Sequence, residues 1–162
     1  MITNRFGQVA PVWFYTLLSS FMERKEDQIL WQGSIGSSLL ARIFVTLASF
    51  VEASGNCPGT DVLAKDLFQL VWSFRNADVA EVRISVLCAV AASFKVIRED
   101  LLLEMLFSGT IQDLPQTLQT IAFDDSDESC RSLAKMIAGH VATAIQSVSQ
   151  DRTARKTSVL DF

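Results

Sequence analysis

Apolar residues recur along this chain at spacings of three and four, in segments separated by short clusters of Gly, Pro, Asn, Asp and Ser. That period marks one face of an α-helix, and the strict alternation of a half-buried strand is absent. A first helix is predicted from about Pro11, whose missing amide hydrogen suits a first turn, and it carries Val12, Trp13, Leu17 and Phe21 before the charged run 22–28. Ser34, Ser37 or Ser38 can cap a second, with Leu39, Ile43, Leu47, Phe50 and Val51 along one face. The run Ser54, Gly55, Asn56, Cys57, Pro58, Gly59 then breaks the pattern.

Thr60 suits the cap of a third helix, with Asp61 in its first turn and Leu63, Leu67, Leu70, Val71 and Phe74 as its stripe. Asp78 and Glu81 form a variant capping box for a fourth, whose inner face is Val79, Val82, Val86, Val90 and Phe94. Ala89, Ala91 and Ala92 allow close approach of a neighbour, so this helix should be buried. Two shorter helices follow. One covers 101–107 and stops at Gly109, and the other is capped by Asp113, with Pro115 early and Leu118, Ile121 and Ala122 beyond it. The last covers about 126–149 behind a cap at Asp125 or Ser126, with Leu133, Ile137, Val141, Ala144 and Val148 on one side. Periodicity fades after Gln150, which predicts one helical domain over 1–150 and a flexible tail over 151–162, where Val159, Leu160 and Phe162 are available to a partner groove.

Six or seven helices on short connections predict an all-α antiparallel helix-pair stack. A repeat signal refines this. Asp78 precedes Arg83 and Asp125 precedes Arg131 near two helix starts, and the arginines stand 48 positions apart. Repeats of the HEAT type often open their second helix with such a pair at about this period, so the expected fold is a HEAT/armadillo-like α-solenoid fragment. An irregular helical bundle is the competing arrangement.

Composition narrows the classes. With 162 residues, 49% hydrophobic and 20% charged, the chain can bury a core without disulfides or metals. A net charge of -4 offers no basic field for a phosphate backbone, which argues against direct nucleic-acid binding. Arg42 and Glu104 interrupt the most apolar stretches, so no membrane span is expected, and residues 1–8 lack the layout of a signal peptide and read as an initiator before an internal fragment. A cytosolic or nuclear chain is the resulting expectation. The three cysteines, Cys57, Cys88 and Cys130, are odd in number and widely spaced, unlike a disulfide framework or a zinc site.

Candidate chemistry is sparse. His140, the one histidine, lies beside an apolar face, and Cys88 sits in an Ala- and Val-rich helix with no cationic neighbour to make a thiolate. A Cys88 and His140 enzyme is therefore the minor reading, and no catalytic residue, cofactor or metal is expected. Gly33 to Gly36 lacks the lysine of a phosphate loop. Charge is more informative. Between Arg98 and Arg131 there is no basic residue, while Glu99, Asp100, Glu104, Asp113, Asp124, Asp125, Asp127 and Glu128 give a local charge of -8. Such carboxylates cap helices, and in a solenoid they also line one edge that steers a basic partner. Ser126, set among acids, fits an acidophilic kinase and also a helix cap. Trp13, Trp31 and Trp72 are candidate anchors at a partner surface, though core packing competes for each.

Asn4-Arg5-Phe6 with the aromatic first helix, the run from Leu67 to Arg75, and Asp127-Glu128-Ser129-Cys130-Arg131-Ser132-Leu133-Ala134 together resemble the C-terminal part of the telomere length regulation protein family over residues 3–149. The last run is the most specific piece. The resemblance implies a helical-repeat domain from a longer scaffold protein, cytoplasmic with a nuclear pool. Members join Tti proteins in a co-chaperone assembly that, with the ninety-kilodalton heat-shock chaperone and its adaptor complex, matures phosphatidylinositol 3-kinase-related kinases. Telomere length, DNA-damage signalling and nutrient signalling follow through those kinases. The family's adaptor-binding phosphoserine lies ahead of this domain, so its role does not transfer to Ser126. The alternative partner class is that of a helical-repeat adaptor from another pathway, such as trafficking or nuclear transport.

Overall fold

A computed structural model describes Thr16, Ser20 and residues 34–55, 57–108 and 111–158. Thr16 and Ser20 have helical backbone, and the rest of the helix predicted from Pro11 lies outside the described residues. Six helices are delimited: α1 (Ser34–Ser54), α2 (Thr60–Trp72), α3 (Ala80–Val96), α4 (Glu99–Phe107), α5 (Leu114–Asp124) and α6 (Glu128–Ser158). No strand occurs among the described residues, so the protein is all-α there. The chain divides into two compact units, Met1–Arg98 and Glu99–Phe162.

In the first unit α3 packs against both α1 and α2. Such a helix must be apolar on more than one side. Its buried residues Val82, Ser85, Val86, Leu87, Ala89, Val90, Ala92 and Ser93 wrap most of its circumference. The two serines cost little, because Ser85 Oγ donates to the Val82 carbonyl at 2.7 Å and Ser93 Oγ to the Ala89 carbonyl at 2.8 Å. Two side-chain links set the direction of α1. Ser38 Oγ donates to the Glu81 carboxylate at 3.2 Å, and Lys95 Nζ donates to Glu52 Oε1 at 2.5 Å. Both pairs are 43 residues apart, one near the starts of the two helices and one near their ends, so α1 and α3 run parallel. Arg98, just past α3, pairs with Asp61 at the start of α2 at 3.4 Å, which makes α2 antiparallel to α3.

The core of this unit includes Phe44, Leu47 and Val51 of α1 with Leu67, Phe68 and Val71 of α2. Phe44 meets Phe74 edge-on at 5.3 Å, and Phe68 stacks between Trp72 at 5.7 Å and Phe94 at 5.5 Å. Two residues placed on inner stripes are exposed. Leu39 is 52% exposed on the far side of α1, and Val79 is half-exposed because it precedes α3 in an extended conformation. The 20-residue stretch Ile35–Ser54 is long and apolar enough to cross a bilayer, contrary to the expectation that Arg42 would interrupt it. One face of that helix carries the core residues just named.

Helix starts also differ from the predicted caps. Ser37 and Ser38 lie inside α1. Gly59 takes the N-cap of α2 with φ 86, a left-handed conformation that suits glycine, while Thr60 is the buried first helical residue. Gly55, at φ 51, turns the chain out of α1 in the same way. The box of Asp78 and Glu81 does not form. Val79 is the N-cap residue without a side-chain bond, and the Glu81 carboxylate instead receives the Ser38 hydroxyl of α1.

In the second unit α6 packs against α5 and, less extensively, α4. Ser147 Oγ donates to Glu99 Oε1, which puts the start of α4 beside the C-terminal half of α6. Leu114, Leu118, Ile121 and Ala122 are buried on α5, and Cys130, Ala134, Ile137 and Val141 on α6. Asp113 does hold the N-cap position of α5, without a side-chain cap bond, and Pro115 stands in the first turn as predicted. α6 starts later than expected. Its cap is Asp127, whose Oδ1 accepts the amides of Ser129 at 2.8 Å and Cys130 at 3.1 Å, while Asp125 Oδ1 accepts the Asp127 amide at 2.8 Å. α6 also continues to Ser158, well past the end predicted near Gln150. Ala154, Arg155 and Lys156 are all good helix formers.

Candidate interaction surface

The two arginines that suggested a repeat perform the same local task. Each is the fourth residue of its helix, and each reaches back over the preceding connection. Arg83 Nη1 donates to the carbonyls of Ala77 and Asp78, both at 2.9 Å, and Arg131 Nη1 donates to the carbonyl of Asp125 at 2.6 Å. A guanidinium supplies several donors in a fixed fork, which lets it tie down carbonyls of the connection ahead of its helix.

The same geometry accounts for the run from Asp127 to Ala134. Asp127 caps the helix, Cys130 and Ala134 are buried, and Arg131 holds the turn. Every one of these roles fixes the α5–α6 connection, so a short stretch of sequence carries much of that unit's geometry.

The candidate partner residues fall into distinct settings. Trp13 and Trp31 lie outside the described residues. Trp72 is only 5% exposed: it stacks on Phe68, the Arg75 guanidinium sits 5.3 Å from its ring, and Arg75 Nη1 donates to its carbonyl at 3.0 Å. It is therefore a core residue with a cation over its face, not a surface anchor.

Glu99, Asp100, Glu104, Asp124 and Glu128 are exposed, and Asp127 is half-buried because its carboxylate is committed to the cap. Asp100 and Glu104 stand one helical turn apart on α4, while Asp124 and Glu128 flank the α5–α6 connection. Exposed carboxylates of this kind act mainly on encounter rate and partner choice, an effect that weakens with salt. Ser126 is exposed between them, and the cap has passed to Asp127.

Several apolar side chains outside the predicted stripes are exposed. Phe107 is 70% and Phe123 76% exposed, and Ile35, Val45 and Met136 also face outward. Their signal was present: Phe123 immediately follows Ile121 and Ala122, so a helix that buries those two turns it away from them.

Burial pushes the Cys88 thiol above its ordinary value, which favours the protonated and unreactive form. Cys88 belongs to the first compact unit and His140, exposed on α6, to the second. Cys57 is exposed and Cys130 buried, and no group of three or more His, Cys, Asp or Glu able to hold a metal occurs among the described residues. A cleft of about 330 Å³ opens between the α1–α2 connection and the end of α3. Cys57, Pro58, Val96 and the paired Asp61 and Arg98 line it.

Comparison with known protein families, curated proteins and solved structures finds no match to this chain. The likeness to the telomere length regulation family accordingly stands on the residues quoted for it.

Proposed function

We propose that this chain is a non-enzymatic scaffold domain built from helical repeats of the HEAT or armadillo type. In this reading α1 and α3 are equivalent helices of successive repeats. The observation that carries it is the parallel pairing of α1 and α3 at an offset of 43 residues, which falls within the 40 to 47 residue period of such repeats. The arginine clasp supports it, since Arg83 and Arg131 hold the same position in α3 and α6. Stacked repeats present long surfaces and aligned connections to other proteins, and need no catalytic groups to act.

The biological setting proposed is the one the resemblance implies. The domain contributes a surface to a co-chaperone assembly with Tti proteins, which works with the heat-shock chaperone and its adaptor complex on phosphatidylinositol 3-kinase-related kinases. Asp100, Glu104, Asp124 and Glu128 are the candidate contact residues, because they are exposed and no basic residue lies between Arg98 and Arg131. The protonated Cys88 thiol favours this reading over a thiol enzyme.

The test is direct binding of the purified chain to purified Tti proteins across a salt series. A complex that weakens with salt, and weakens further in the Asp100→Asn, Glu104→Gln variant, is the expected result. No complex with any Tti protein at low salt rejects this setting and leaves the helical-repeat adaptor of another pathway.

A further inference from the structure

We draw no further inference here: the strongest candidate, the outward face of the short helix α4, where Asp100 and Glu104 lie one turn apart near the exposed ring of Phe107, shares its acids with the surface already described, and nothing in the structure shows what covers its apolar part.

Discussion

Replacing Asp127 with alanine separates the two roles open to this carboxylate, helix cap and partner contact. Its Oδ1 accepts two amides at the start of α6, from Ser129 at 2.8 Å and Cys130 at 3.1 Å. Loss of an N-cap side chain typically costs about 1 kcal/mol within a range of about 0.5–2. Removing a negative charge from the first turn adds about 0.3–1 kcal/mol. The expected loss for Asp127→Ala is therefore about 1–2 kcal/mol, roughly a 5- to 30-fold shift in the folding equilibrium of the second unit.

Asp127→Asn keeps a good capping side chain and removes the charge, so its loss should stay below about 1 kcal/mol. Glu128→Gln, at an exposed neighbour, serves as the control. Urea unfolding followed by far-ultraviolet circular dichroism, with hydrogen exchange at the Ser129 and Cys130 amides, reads both effects. An Asp127→Ala protein as stable as the parent, or an Asn variant as damaged as the Ala variant, refutes the capping argument.

Two further outcomes follow from local geometry. A Cβ added at Gly139, inside α6, meets nothing within 4 Å, so Gly139→Ala should stabilise the protein by about 0.5–1 kcal/mol, and destabilisation in the same urea experiment contradicts the open helical site. Alkylation followed by peptide mass spectrometry should label Cys57 first, Cys88 only at more alkaline pH, and Cys130 only on unfolding. Because burial raises the Cys88 pKa above that of the unfolded chain, its contribution to stability is complete below the unfolded thiol pKa. That contribution is lost as pH rises through the folded one.

The helices were largely legible in the sequence because each needs only its own stripe: Leu63, Leu67, Leu70 and Val71 on α2, or Ile137 and Val141 on α6, are buried as their spacing requires. What a local pattern does not contain is the choice among competing partners. Glu81 was equally suited to a capping box and to the hydroxyl of Ser38, and the packing of α1 on α3 decided between them. The cap of α6 moved to Asp127 for a related reason, since Asp125, Ser126 and Asp127 are all good capping types and only the geometry of the connection selects one. Trp72 reads as an anchor or a core ring until Phe68 and Arg75 are placed around it. The exposed carboxylates were visible as a run of sequence without basic residues, whereas their placement on α4 and around the α5–α6 connection follows from the packing.

The parallel course of α1 and α3 is the claim on which the repeat reading rests, and cysteine trapping tests it most directly. Treating S38C/E81C with a short bifunctional thiol cross-linker, mapped by peptide mass spectrometry, should link the two introduced cysteines in high yield, because Ser38 Oγ meets the carboxylate at the end of the longer Glu81 side chain at 3.2 Å and the linker makes up the length that cysteine lacks. S38C/K95C should give none, since 14 helical residues at 1.5 Å each set position 95 roughly 21 Å further along α3. A cross-link in the second variant and none in the first would mean that the helices run antiparallel, and the 43-residue repeat would fall with the pairing.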